Sequence, residues 1–598
     1  RGGPALEAAR KGVETLGAGE SRAAYEAQAV EARLLGRPER AQEILGRLLA
    51  RYPDDVEVRV ELGEAFGEQG SLDRAISSLE AAVRLAPHHP RAWFLLGKYS
   101  ILAGNARRAV DEYLVRAQVV QNQLGSDQGR ADVSNAFGVA YRDLGELERA
   151  VESYEQAAAI RKRIGDQRGY ATTLRNLANV HTVRGEAAVA EKQLTEALEL
   201  SQRLGDQAGI ADLYNDFGVV AEQRGNYEEA LERYRQALRV RRDLGNDLAL
   251  AQSFSNVGFA CYLLGRYDDA LVYWRQGLDM AKKSADPSGI LMATQNLGQL
   301  ELARGEWDDA VKSFLTALNS SRETGMKQAT VVSLGNLGRL AQYQGRPGAA
   351  LASYGEALTV AREMGDKGGL AEFTLAAAEA ELELGMMDAA GEHLRAAGEM
   401  LREGKNREQQ AELDRLRGEL LLAQGDRAAA AAALRQAVAS AEASHGVVAL
   451  LSARLSAAAG AKLAELEKLR AEADALGNAR LRLRAAEAVA TAALAAGDLG
   501  KAQKAARAGL EQAAACGGYA GAYRLHLLLA RALERGGHSA VEAAAERRRA
   551  ADEIARVSRD LSPPQRTSFD RLAEVQDGTE PDATGRPGVK LGKVKPNG

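Results

Sequence analysis

The sequence has few of the residues that crosslink or interrupt a fold. Its 598 residues include 12 prolines and only two cysteines, Cys261 and Cys516. Two cysteines cannot form a disulfide framework, which favours a reducing compartment. The scarcity of proline permits helix through most of the chain. We therefore expect a helical protein located in the cytoplasm.

Other absences argue against whole classes of function. Aromatic residues make up 5% of the chain and the formal net charge is −4, whereas a nucleic-acid binder needs a basic surface or stacking aromatics. No run of about 18 apolar residues is present, as a membrane-spanning helix would require. The seven histidines show no zinc-ligand spacing with Glu or Cys. We expect no nucleic-acid partner, no membrane insertion, no cofactor and no bound metal.

What the chain does have is a fixed period. Small residues recur every 40 residues, at Gly138, Ala178, Gly218, Gly258, Gly298, Gly338, Ala378 and Gly418. A second glycine follows seven residues later, then an alanine, and then a large apolar residue such as Tyr154 or Trp274. The first small residue lets two antiparallel helices approach closely, and the second glycine ends the first helix in a left-handed conformation. Each repeat is predicted to be a helical hairpin that stacks on its neighbours.

This pattern resembles the tetratricopeptide repeat family over about residues 22–400. Three small residues near the start have the family's ordinary 34-residue spacing: Ala29, Gly63 and Gly97. From about residue 131 the longer repeat is similar to the arrays of kinesin light chain and the Pins-type polarity adaptors, with Leu204-Gly205-Asp206 as a linker and Asn296-Leu297-Gly298 as a helix start. The resemblance implies an all-α fold, a right-handed superhelical solenoid of a dozen or more stacked antiparallel hairpins.

The same counting divides the chain into five segments. They are an N-terminal helix or leader at 1–21, three 34-residue repeats at 22–124, seven 40-residue repeats at 125–404, degenerate helical hairpins that continue and cap the solenoid at 405–560, and a mostly disordered Pro/Gly/Lys-rich tail at 561–598. Within that tail a short helix is predicted at about 565–576.

The candidate binding site follows from the resemblance, which implies that the first helix of each hairpin lines the concave face. Asparagines occupy the inward positions of several consecutive hairpins, although asparagine is a poor helix former. Two interpretations stay open: the amides bind the backbone of an extended peptide, as in the resembling families, or they bond neighbouring helices. The predicted peptide-binding groove comprises Asn135, Arg142, Arg175, Asn176, Asn179, Asn215, Glu222, Asn256, Tyr262, Gln295, Asn296, Gln299, Asn336, Arg339 and Tyr343.

These observations favour a scaffold or adaptor that binds a segment of a partner protein, and not an enzyme. Cys261 lies on the packing face of its helix, so we expect a buried structural thiol and no nucleophile. One alternative is the sensory or docking arm of a larger bacterial signalling protein, because the chain starts at Arg1 and residues 554–572 resemble the ends of arrays that follow serine/threonine kinase or NTPase domains. Another alternative, a receptor for a small regulatory peptide, would use the same groove.

Overall fold

The computed structural model describes residues 4–16, 21–245, 247–402, 406–537 and 540–578. Within these ranges the chain forms helices joined by short turns, and no strand occurs. None of the helices found there is long and apolar enough to cross a membrane. The chain divides into two compact units, Arg1–Val220 and Ala221–Gly598.

The first unit is a row of antiparallel helical hairpins. Its helices are α1 (Pro4–Leu16), α2 (Arg22–Leu34), α3 (Pro38–Arg51), α4 (Val56–Glu68), α5 (Leu72–Leu85), α6 (Pro90–Leu102), α7 (Ala106–Arg108), α8 (Val115–Leu124), α9 (Asp127–Asp143), α10 (Leu147–Ile164), α11 (Gln167–Val183), α12 (Ala187–Arg203) and α13 (Gln207–Gln223), with a π-helical turn at Ala109–Leu114. Its buried side chains form successive apolar clusters along the row. This arrangement is expected of hairpins that bury each face only against a neighbour.

The second unit continues the hairpin pattern. Its helices are α14 (Tyr227–Leu244), α15 (Asp247–Leu263), α16 (Tyr267–Lys283), α17 (Pro287–Arg304), α18 (Trp307–Glu323), α19 (Lys327–Tyr343), α20 (Pro347–Met364), α21 (Lys367–Glu383), α22 (Met387–Leu401), α23 (Arg407–Ala423), α24 (Arg427–Ser444), α25 (Val447–Ala457), α26 (Leu463–Leu476), α27 (Ala479–Ala495), α28 (Leu499–Ala515), α29 (Ala522–Arg535), α30 (Ala540–Ser558) and α31 (Pro563–Gly578). The all-α hairpin fold predicted from the sequence is confirmed.

Small and large residues pair across each hairpin as the period predicts. A Cβ added to Gly138 would lie 2.6 Å from the Tyr154 ring, and one added to Gly258 would lie 2.5 Å from the Trp274 ring. Both aromatic side chains are fully buried. The glycine therefore creates the space that the aromatic ring fills, and the two helices approach closely because of it.

The aspartate of the Leu-Gly-Asp linker caps the helix that follows. The Asp206 carboxylate accepts a hydrogen bond from the Gly209 backbone N–H at 3.1 Å, and Asp166 accepts one from Gly169 at 2.9 Å. An acidic cap satisfies an otherwise unpaired N–H and complements the positive end of the helix. Where this Asp occurs, it fixes the start of the next hairpin, whereas Met326 stands at that position before α19 without a side-chain cap.

The C-terminal helices of the second unit cover the turns of its earlier hairpins, along a surface that we call the seam. Hydrogen bonds between described residues cross the seam: Tyr227 Oη to Ser444 O at 3.2 Å, Asn478 Nδ2 to Tyr267 Oη at 3.4 Å, Ala520 N to Tyr343 O at 3.1 Å, Arg556 to Gln344 O at 2.8 Å and Ala349 N to Asp560 Oδ2 at 3.0 Å. The helices of 405–560, predicted to continue and cap the solenoid, thus also contact hairpins much earlier in the chain. The turns recur every 40 residues, so they offer the later helices a regular set of backbone groups to bond.

The sequence predicts a mostly disordered tail with a short helix at about 565–576, and helix α31 covers that stretch. Helix α31 begins at Pro563, since proline is well suited to the first position of a helix as well as to ending one. Its Phe569 is buried and meets the Tyr523 ring edge-on, with centroids 5.7 Å apart. Residues 579–598 of the predicted tail lie outside the described residues, as do 1–3 and 17–20 of the predicted N-terminal segment.

Candidate functional site

In the first unit, groove residues of neighbouring hairpins bond one another. The Asn176 amide donates to Asn135 Oδ1 at 3.3 Å. Arg175 on α11 reaches across to α13, where it pairs with Asp212 at 2.5 Å and lies 3.5 Å from Asp216. These contacts match the packing interpretation, because each joins adjacent first helices.

In the second unit, the groove amides show the same behaviour. Asn296 donates to Ser255 Oγ at 3.0 Å. Gln295 is buried and donates to Ser333 Oγ at 2.9 Å. Asn336 is also buried, and its Nδ2 is shielded from solvent without a hydrogen-bond partner. The bonded amides of Gln295 and Asn296 stabilise the contact between hairpins. Their N–H groups that bond serine are therefore not available to bond a ligand.

The other predicted groove residues are only half-buried. This group comprises Arg142, Asn179, Asn215, Glu222, Asn256, Tyr262, Gln299, Arg339 and Tyr343. Several contact other side chains: Arg142 pairs with Asp143, Glu222 accepts from the Tyr234 hydroxyl, Tyr262 packs on Tyr267 and Trp274, and Arg339 pairs with Glu372. Burial raises the pKa of Glu222 above its ordinary value. The groove keeps partly accessible polar side chains in each unit.

A chamber of about 900 Å³ lies inside the second unit. The first helices of successive hairpins, α19, α21, α23, α25, α27 and α29, supply most of its lining, together with Trp307, residues at the start of α26 and Leu572. Of the predicted groove residues, Tyr343 lies in the chamber wall. The volume falls within the range of about 300–1,000 Å³ that is usual for ligand sites in proteins.

One wall of the chamber is a network of paired charges. Arg480 on α27 lies 2.8 Å from Glu379 and 3.3 Å from Glu383, both on α21, and its guanidinium stacks 4.1 Å from the Tyr343 ring centroid. Further pairs extend the network: Arg484 with Glu419 at 2.9 Å, Arg524 with Glu487 at 2.5 Å, and Arg415 with Glu379 and Glu419 at 2.6 and 2.7 Å. Each arginine of this wall has a carboxylate partner.

Glu379 and Glu383 lie one helical turn apart but occupy different electrostatic environments. Burial would raise the pKa of Glu379, but Arg480 and Arg415 outweigh it and hold that pKa well below its ordinary value. Burial raises the pKa of Glu383 to about 7, against the opposing charge of Arg480. The Glu383 Oε2 atom is shielded from solvent and accepts no well-formed hydrogen bond, although the nearby Gln342 amide opposes the rise in pKa. Glu383 is the least satisfied carboxylate of the network.

The opposite wall is mostly apolar, although the exposed cation Lys462 also lines the chamber, between Ala461 and Leu463. Leucines and alanines of α23, α25, α26 and α27 form it, namely Leu422, Ala423, Leu455, Ala458, Ala459, Leu463, Leu466, Ala488, Ala492, Ala495 and Ala496. Helix α27 contributes to both walls, with arginines in its first two turns and alanines in its last two. A ligand in the chamber would therefore meet charge at one end and aliphatic surface at the other.

Family models for the tetratricopeptide repeat match most of the regular part of the chain. The matched residues are 26–78, 65–122, 130–164, 169–243, 209–283 and 290–363, which together exceed half of the sequence. The chain is a tetratricopeptide repeat protein. Repeats of this family build scaffolds for protein interaction and are typically non-catalytic, and this tetratricopeptide repeat protein is a scaffold of that general kind.

Several solved structures are similar to this tetratricopeptide repeat protein. The Rap protein complexed with Competence and Sporulation Factor is 15% identical, over 58% of this chain and 98% of that chain, with a TM-score of 0.44. BtubC from P. vanneervenii is 24% identical over 36% and 92%, with a TM-score of 0.32. MamA from Desulfovibrio magneticus RS-1 is 18% identical over 31% and 98%, with a TM-score of 0.27. These likenesses concern the fold alone. No curated protein matches the chain.

Sequence reasoning missed most of the chamber, although the repeat carried a usable signal. Glu379 and Glu419 stand one residue after the small residues Ala378 and Gly418, the same inward position that Gln299 and Arg339 occupy. Continuing that count past residue 345 would have found both carboxylates. The arginines of α27 and α29 lie where the period has decayed, so no count could have placed them.

Proposed function

We propose that this tetratricopeptide repeat protein binds a short segment of a partner polypeptide in the chamber of its second unit. The observation that carries the proposal is the chamber itself, which the first helices of successive hairpins line and which joins a charged wall to an apolar wall. A polypeptide segment supplies both kinds of group, and its backbone supplies donors and acceptors as well. The half-buried groove residues of each unit, such as Asn179 and Gln299, offer further polar contacts to a bound polypeptide.

A chamber-filling variant tests the proposal. Ala495 lines the chamber and is exposed there, so Ala495→Trp reduces the space without disturbing buried packing. Ala432 on α24 is exposed outside the chamber lining, which makes Ala432→Trp the matched control. Peptides selected from a phage-displayed random library on the wild-type protein should lose binding to A495W and keep binding to A432W. Equal binding to the two variants, with equal helicity by circular dichroism, would exclude the chamber as the site.

The predicted groove is tested separately. Changing Asn256, Asn296 and Asn336 together to Ala removes three amides of the second unit. If the row binds peptide backbone, the selected peptides lose affinity while helicity and unfolding midpoint stay near wild-type values. If the row serves packing, the unfolding midpoint falls and peptide affinity follows only that loss. Unchanged affinity in a stably folded triple variant rejects the groove as a binding surface.

A receptor for a free short peptide is the second candidate, and the limited chamber volume favours it. Comparing a selected peptide with free ends to the same sequence embedded in a carrier protein separates the two functions. A receptor should prefer the free peptide, whereas a scaffold should bind both forms. The role of docking arm in a larger signalling protein stays a prediction.

A further inference from the structure

We infer that the chamber selects a polypeptide segment in which a cationic group lies within about four residues of a large aliphatic side chain, and that Glu383 accepts the cationic group. This inference rests on the proposed function and specifies the chemistry of its ligand. It depends on three features of the chamber: how its arginines are paired, what surrounds Glu383, and how far the charged wall lies from the apolar wall.

The arginines of the charged wall do not offer a free cation to an acidic ligand. Arg480, Arg484 and Arg524 each bond a carboxylate of a different helix, at the distances given above. A ligand carboxylate would have to compete with these internal partners, which are already in place and partly desolvated. An acidic segment is therefore a poor match for the charged wall.

Glu383 is different because it is incompletely compensated. Its Oε1 atom lies 3.3 Å from Arg480, and its shielded Oε2 atom has no well-formed hydrogen bond, although the neutral Gln342 amide lies near it. If the carboxylate turned toward the chamber it would accept an N–H donor of a ligand, whose positive charge would stabilise the ionised form. Aromatic side chains also line the chamber, namely Trp307, Tyr343 and Tyr519.

The charged groups that face Glu383 come from several helices. They are Glu379 on α21, Arg480 and Glu487 on α27, and Arg524 on α29, while α19 contributes Gln342 and Tyr343. Arg480 and Arg524 favour the ionised form of Glu383, and Glu379 disfavours it. Burial outweighs the two arginines and raises the pKa of Glu383. A bound cation would reverse that balance, so binding would be accompanied by release of a proton near neutral pH.

The distance between the walls sets the spacing within the ligand. Arg480, which pairs with Glu383, and Ala488, which begins the apolar surface of α27, are eight residues apart on one helix. At 1.5 Å per residue this is about 12 Å, a distance that about four residues of extended chain span. The apolar wall includes Leu455 and Leu466 and can surround one branched aliphatic side chain.

The experiment uses the full chain and a position-scanning library of hexapeptides, with binding measured at pH 6 and pH 8. We expect enrichment of Lys or Arg together with Leu, Ile or Met at pH 8, and about tenfold weaker binding at pH 6, because most Glu383 is then protonated. Glu383→Gln should remove both the basic preference and the pH dependence. Glu392→Gln, an exposed position on α22 outside the chamber lining, is the matched control and should retain both.

The outcomes separate the inference from the proposed function. Enrichment of Asp or Glu, or an unchanged basic preference in E383Q, overturns the inference while leaving a peptide-binding chamber intact. Selected peptides that bind A495W as well as the wild type overturn the proposed function itself. An E383Q protein with altered unfolding but unchanged preference identifies Glu383 as structural only, which also overturns the inference.

Discussion

Two glycines of the second unit allow the seam to be tested with one kind of substitution. Gly305 and Gly325 both follow a helix and both have left-handed backbone conformations, with φ of +85° and +68°. An added Cβ at Gly325 would meet nothing within 4 Å. An added Cβ at Gly305 would lie 2.5 Å from Cys516 Sγ and 2.9 Å from Ala479 Cβ, across the seam. Alanine at either site incurs the same conformational cost, and only Gly305→Ala also disturbs the seam.

The expected magnitudes differ accordingly. The left-handed conformation costs an alanine about 1–2 kcal/mol, which is the whole expected loss for Gly325→Ala. At Gly305 the collision adds the usual overpacking cost of about 1–3 kcal/mol. The Ala479 methyl group can move only with helix α27, so relaxation by a side-chain rotation alone is not available there.

The assay combines urea unfolding with thiol labelling. Cys516 is 4% exposed at the seam, and Cys261 is fully buried in helix α15. Gly305→Ala should accelerate the labelling of Cys516 by about tenfold for each 1.4 kcal/mol lost locally, with Cys261 unchanged. Gly325→Ala should leave both thiols protected. Equal losses of stability in the two variants, together with equal labelling of Cys516, would refute the seam as a packed contact.

Three further predictions concern buried groups. Burial raises the pKa of Glu383 from 4.5 to about 7, so between these pH values the folded state binds more protons than the unfolded state and the stability falls as the pH rises. Glu383→Gln should therefore stabilise the protein at pH 8 by at most about 3 kcal/mol and have little effect at pH 4. Urea unfolding at the two pH values measures both effects. Arg480→Met should cost about 3–5 kcal/mol in the same assay, since it leaves buried carboxylates uncompensated, and adding Glu379→Gln should recover part of that loss. Trp274→Ala should cost about 3–5 kcal/mol and lower the near-ultraviolet circular dichroism, and a loss below about 1 kcal/mol would contradict its role in the core.

The sequence was sufficient for features that repeat and act locally. The pairing of Gly138 with Tyr154 and the capping by Asp206 each recur at a fixed spacing, so one physical argument covers every copy. The interaction partners of these residues lie within the same hairpin or the same turn. This is why the hairpin fold and its core positions could be predicted without coordinates.

Features that join distant parts of the chain could not be predicted in this way. Arg480 bonds Glu379 and Glu383, about 100 residues earlier, and nothing in the local pattern around Arg480 marks it as their partner. The predicted asparagine row illustrates a related difficulty. The repeat period places Asn296 on the first helix of its hairpin. The structure adds that the Asn296 amide donates a hydrogen bond to Ser255 on the preceding hairpin.

The seam also bears on how the second unit folds and unfolds. In an ordinary helical array each hairpin touches only adjacent ones, so terminal hairpins can fray while the centre stays folded. Here four of the seam hydrogen bonds join residues 211 to 217 positions apart. Such contacts raise the contact order and require long loops to close before they form. We expect the second unit to fold more slowly than its local helical structure suggests, and to lose its structure in one cooperative step.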